Sequence, residues 1–185
     1  MLLMVQKMNF GSSKQRVPIG LLFGGCAAAL AIQAGWAGEA RAGGPRVVAT
    51  TTIVADLVRQ VAGDEVEIDC LMGPGVDPHS YKATPRDADR LARADLVVAS
   101  GLHLEGKLAA LLERLARRKR VVSVAESIPK DRLIEVAADL YDPHVWFDPT
   151  LWATCVTAVV DPLAEIVPAG RPRFAATAAE YRARL

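Results

Sequence analysis

Two of the chain's three histidines stand directly after an Asp-Pro step, in Asp77-Pro78-His79-Ser80-Tyr81 and in Asp142-Pro143-His144-Val145-Trp146-Phe147-Asp148-Pro149. Proline fixes its own φ and biases the preceding residue away from the helical region, so each triplet is a stiff corner that presents one imidazole in a set direction. Neutral imidazole is the commonest protein ligand for metals. It suits Zn²⁺, Mn²⁺ and Fe²⁺, and added carboxylates shift a site toward harder ions such as Mn²⁺. His79 and His144 are therefore the candidate metal ligands, forming half of a site. A ligating imidazole also needs its second nitrogen fixed by an acceptor. Asp77, Asp142 and Asp148 stand close enough in sequence to serve, with turn and capping duty competing for each. His103 falls where a strand should end and is expected to pack or cap rather than ligate. Glu105 is expected in the first turn of the next helix, where its charge suits the dipole. Trp146 and Phe147 are expected to pack beneath the second histidine loop. Tyr81 either hydrogen-bonds beside the first or packs there.

The elements that must position these residues follow from periodicity. Arg46 to Thr51 is a β-rich run, and Ile53, Val54, Leu57, Val58 and Val61 have helical spacing that stops at Gly63. Val66 to Leu71 alternates as a strand, and Gly73-Pro74-Gly75 opens the loop that carries His79. Thr84-Pro85-Arg86-Asp87 has a helix N-cap, a proline at the first helical position and an acid in the first turn. Asp95 to Ser100 is a third strand, the leucines at 104, 108, 111, 112 and 115 a helical face, and Arg120 to Ala125 a fourth strand. Arg114, Arg117, Arg118, Lys119 and Arg120 form a basic cluster expected to be solvated at a helix C-terminus. Ser127 to Tyr141 reads equally as short helix or strand. Asp148-Pro149 opens another helix, with a stripe from Trp152 to Ile166 kinked or ended near Pro162. A last helix begins near Pro168 or Pro172 with Phe174, Ala178, Tyr181 and Leu185 on one face. The order predicts an α/β fold: a four-stranded, mainly parallel sheet with helices on both faces. Ligands of such sheets collect beyond the carboxyl ends of the strands, where His79 follows the second strand and His144 the fourth.

A chain of 185 residues that is 51% hydrophobic can bury one good core. Its net charge of +1 and lack of a basic stripe with interleaved aromatics argue against a nucleic-acid partner. There is no His-Glu-x-x-His and no nucleophile elbow, so a metallohydrolase or other enzyme is not expected. Residues 1–42 have the pattern of a secretory signal peptide: Lys7, Lys14 and Arg16, an apolar run from Val17 to Ala37, and Ala40-Arg41-Ala42 as a cleavage site. A lipoprotein signal ending at Cys26 fits less well, because Phe23 stands where leucine is usual. Export places the mature chain in an oxidising compartment, yet Cys70 and Cys155 lie in apolar patterns and are expected to be buried free thiols.

From Arg46 to Leu185 the chain resembles the N-terminal part of the zinc/manganese-type substrate-binding proteins of bacterial metal ABC transporters. The resemblance is carried by Asp77-Pro78-His79-Ser80-Tyr81 with Thr84-Pro85-Arg86-Asp87, by Ala94-Asp95 through Gly101-Leu102-His103-Leu104-Glu105, and by Asp142 to Pro149, in that order. It implies a two-lobed periplasmic carrier that delivers a divalent metal, zinc or manganese with iron a further candidate, to a membrane permease. His79 and His144 would be ligands from the first lobe, residues 46–167. Residues 168–185 would begin the helix linking the lobes, and the second lobe, with the remaining His or Glu and Asp ligands, is absent. The His-rich insertion of many zinc-specific members is missing between Glu135 and Asp142, which leans the resemblance toward manganese or mixed specificity. The competing readings are an extracellular adhesin or scaffold lobe, and a non-functional fragment.

Overall fold

The computed structural model describes residues 44–185; the expected leader over 1–42 and Cys26 lie outside them. Four short strands, β1 (Arg46–Ala49), β2 (Glu67–Cys70), β3 (Leu96–Ala99) and β4 (Val121–Ser123), form one sheet in the order β2-β1-β3-β4. Every neighbouring pair is parallel, with Val48 opposite Asp69 and Val97 in register. Parallel strands need crossovers, and the helical spacing in the sequence supplies them: α1 (Thr52–Ala62), α2 (Pro85–Arg93) and α3 (Ala109–Ala116).

Side chains alternate across the sheet, so each strand feeds two cores. Val47, Ala49, Leu96 and Val98 face α1 and three later helices, α4 (Pro149–Ala158), α5 (Val160–Ile166) and α6 (Arg171–Arg184). Val48, Val97 and Ala99 face Leu91 of α2 and Leu108 and Leu112 around α3. Both faces are covered, as a continuous apolar run in a parallel strand requires.

The helix ends follow local chemistry. Thr51 caps α1 by accepting from Val54 N, and Gly63 ends it at φ 56°. Thr84 and Asp87 form a reciprocal capping box at α2. Asp148 caps α4 by accepting from Thr150 N and Leu151 N. The stripe from Trp152 to Ile166 breaks at Val159, three residues before Pro162. Proline at 162 offers no N–H to the carbonyl four residues earlier and its ring crowds that carbonyl, so α4 ends there and α5 restarts.

The open stretch after Ser127 resolves as a short antiparallel hairpin, β5 (Glu135–Ala137) with β6 (Leu140–Tyr141), standing apart from the main sheet. The last helix is anchored well beyond its start. Phe174 is fully buried, Thr177 Oγ1 donates to Val61 O at 2.6 Å, and Arg184 reaches Gln60 at 3.1 Å. Among the described residues no helix is long and apolar enough to cross a membrane.

Cys70 and Cys155 are both free. Burial pushes the Cys155 thiol up to about 12 and raises that of Cys70, which is only half-buried and donates from Sγ to Met72 O at 3.1 Å.

Candidate metal centre

His79 sits in the loop between β2 and α2, and His144 just beyond β6, at the carboxyl edge of the sheet. The fold brings the two imidazoles tip to tip. Their Nε2 atoms are 3.4 Å apart, with ring centroids 5.4 Å apart and planes at 51°. Two nitrogen donors ~2.0–2.1 Å from one tetrahedral ion would lie ~3.3–3.4 Å from each other. Both rings are exposed on this edge.

The three nearby aspartates divide the labour. Asp142 Oδ1 accepts from the backbone N of His144 at 3.0 Å and meets its Nδ1 at 2.6 Å. The backbone and ring hydrogen bonds from His144 hold the Asp142 carboxyl below its ordinary value, so it is ionised and can only accept. Nδ1 of His144 therefore carries the proton and Nε2 the lone pair. Asp77 makes the same backbone turn, accepting from His79 N at 3.0 Å, but its second oxygen takes the Ser80 hydroxyl at 2.6 Å. It holds the backbone of its histidine and not the ring. Asp148 is occupied with capping α4.

Tyr81 fastens the first histidine loop to α2. Its hydroxyl donates to Asp87 Oδ2 at 2.7 Å. Asp87 is 5% exposed; burial alone would raise its pKa, but hydrogen bonds from the Thr84 hydroxyl and backbone, Tyr81 and Arg90 outweigh that and hold it at about 2. Burial, and then the bond to Asp87, push Tyr81 up to about 12. Arg90 links this group to Asp69 on β2.

Three expectations need correction. Trp146 is half-buried and meets the His144 ring edge-on at 5.3 Å, but Phe147 is 80% exposed. The two share a 3₁₀ turn, Val145–Phe147, in which Val145 takes the inward position and turns Phe147 out. His103 neither packs nor caps through its side chain. It is exposed at φ 62°, after Gly101 at φ 90° and Leu102 at φ 51°. Glu105 stands just before the 3₁₀ turn that leads into α3, not in a helix's first turn, and its charge serves another end. It is 2% exposed, and its carboxylate accepts from Ser100 N at 2.6 Å, Gly101 N at 3.1 Å and the Thr50 hydroxyl at 2.6 Å. The left-handed turn folds the chain back over the ends of β1 and β3 and carries Glu105 inward. The one hint in the sequence is an acid four residues after a glycine that closes a strand. Among the described residues, no group of three or more His, Cys, Asp or Glu side chains is placed to hold an ion.

A two-faced parallel α/β lobe with its paired imidazoles beyond the strand ends belongs to the class of binding-protein lobes that meet a ligand at a sheet edge. Comparison narrows this. The chain belongs to the ZnuA family, described as zinc-uptake complex component A, periplasmic, which matches residues 47–185. The family is one of non-enzymatic, extracytoplasmic transporter binding proteins. The chain is 41% identical over 138 residues to the manganese-binding lipoprotein MntA of Bacillus subtilis, covering 74% of this chain and 45% of that protein. It is 40% identical over 143 residues to the zinc-binding protein TroA of Treponema pallidum, covering 77% and 46%. The solved structure of the periplasmic zinc binding protein TroA superposes with a TM-score of 0.72 at 40% identity, over 76% of this chain and 50% of that one. The fold matches one lobe of that protein, and the chain spans about half the length of the curated relatives it matches.

Proposed function

We propose that this chain is the metal-receiving lobe of an extracytoplasmic carrier. It takes a divalent ion, Zn²⁺ or Mn²⁺ with Fe²⁺ a further candidate, and presents it to the permease of an ABC transporter in the membrane. His79 and His144 are the ligands that the lobe supplies. The observation that carries this reading is the 3.4 Å separation of their Nε2 atoms, the spacing two donors take on one ion. The Asp142 contact supports it by fixing the His144 tautomer with its lone pair outward. Relatives of nearly equal identity are named for manganese and for zinc, so both ions belong in the test. In this reading residues 1–42 are a secretory leader, 46–167 the first lobe, and 168–185 the opening of the helix that leads to a second lobe. A periplasmic mature chain should begin near Gly43, which intact-mass measurement of exported protein reads directly.

Calorimetric titration of Zn²⁺ and Mn²⁺ into the chain and its variants tests the ligand assignment. His79→Ala and His144→Ala should each weaken binding by ~10-fold or more, and His103→Ala should leave it unchanged. Binding should also weaken in acid, because protons compete for the imidazole lone pairs. Unchanged affinity in His79→Ala removes that residue from the site.

A further inference from the structure

Asp142 clamps the His144 ring, but Asp77 holds only the backbone of His79, so His79 depends on how its loop is seated. The seat is the turn after β3. A Cβ added at Gly106 would come well within 3.0 Å of the His79 carbonyl oxygen, 3.2 Å from its carbonyl carbon and 3.5 Å from its Cα. Gly106 does not adopt a left-handed φ, so glycine is needed there for space and not for conformation. The residues before it do adopt one: Gly101, Leu102 and His103 have φ of 90°, 51° and 62°. Two consecutive non-glycine residues in that region persist only where the surroundings over-determine them. Here two carboxylates do so. Glu105 accepts from Ser100 N, Gly101 N and the Thr50 hydroxyl, and Glu126 Oε1 accepts from Leu102 N at 3.0 Å. The turn then closes with Gly106 N donating to the carbonyl oxygen of His103, 3.2 Å away.

We propose that Gly106 is a positioning residue for metal binding: the strained Gly101–Gly106 turn presents a bare Cα on which the His79 backbone rests, and this sets the distance between the two imidazoles. The inference rests on the reading of His79 and His144 as ligands. Gly106→Ala should drive the His79 backbone off its seat, shift the His79 ring resonances in an NMR spectrum, and weaken Zn²⁺ binding by ~10-fold.

Gly44→Ala is the control. Its Cβ would meet Glu65 O at 2.8 Å, a comparable backbone collision beside the amino end of β1. It should lower thermal stability and leave Zn²⁺ affinity unchanged. Wild-type affinity and unmoved His79 resonances in Gly106→Ala overturn the proposal, as does an equal loss of affinity in Gly44→Ala. His79→Ala with undiminished affinity overturns the ligand reading and this inference with it; a weakened His79→Ala beside a wild-type Gly106→Ala overturns this inference alone. Should Gly106→Ala fail to fold, amide exchange in the unmodified chain decides. Zn²⁺ should slow exchange across 101–106 together with 77–81 and 142–146, and no slowing across 101–106 overturns the proposal.

Discussion

His144 owes its orientation to one carboxylate oxygen, and that makes Asp142 the most informative half-buried residue of the site. Asp142→Asn keeps size and turn geometry but replaces an obligatory acceptor with a group that can also donate, so Nδ1 is no longer forced to hold the proton. Zn²⁺ affinity should fall by ~10-fold with little change in thermal midpoint, and calorimetry beside a melting curve separates the two. Asp87 is the opposite case, a buried carboxylate whose effect is on stability. Its folded pKa of about 2 lies below the ordinary value of 3.8, so its contribution is fully present above ~4 and is lost as pH falls through about 2. The shift corresponds to about 2 kcal/mol. Urea unfolding between pH 2 and 7 should show that loss in the parent chain and a flatter acid limb in Asp87→Asn; equal limbs in the two proteins would count against it. Histidines 79 and 144 were legible because the stiff Asp-Pro corner is written locally. Glu105 and Gly106 were not, because their meaning depends on a left-handed turn and on a loop about 25 residues away in sequence that rests against it.

At the scale of elements, the strands and helices of the sheet could be read in advance because their apolar periods were long enough to choose between two and 3.6 residues. Residues 133–141 form too short a stretch, apolar at most of its positions, to show one period or the other, and the hairpin they form is not decided by burial. Ile134, Val136 and Leu140 are 68%, 59% and 41% exposed. A two-stranded hairpin without a third strand or a covering helix is marginal in water. Amides over 135–141 should therefore exchange much faster than those of β1 and β3, whose side chains are buried on both faces. Equal protection would mean that something covers the hairpin in solution. The split between α4 and α5 shows the same limit: Pro162 announced a disturbance, but the break falls at Val159, next to the Ala158 carbonyl to which Pro162 has no N–H to donate.

For the whole molecule, periodicity gave the α/β class and the parallel sense, but not the order β2-β1-β3-β4, which depends on which face each crossover covers. The parallel sense puts the carboxyl ends of all four strands on one edge, and there two loops whose histidines are 65 residues apart meet at 3.4 Å. The arrangement also sets how strongly the chain alone would hold a divalent ion under the proposed reading. Zn²⁺ in a protein is stable with four donors, and the described residues offer two imidazoles and no third His, Cys, Asp or Glu within reach. Both rings stand on an open edge, so water must complete the shell, and a mostly hydrated ion leaves readily. The 185-residue chain should therefore bind Zn²⁺ at about micromolar strength or weaker. X-ray absorption at the zinc edge should report two imidazole nitrogens with oxygen donors making up the rest. Equilibrium dialysis at several chain concentrations separates this from sharing of one ion between two copies, which would make the apparent affinity rise with chain concentration. Nanomolar binding by the monomer, with four protein donors in the absorption spectrum, would mean that the chain closes the site by itself and that the two-imidazole shelf is the wrong picture.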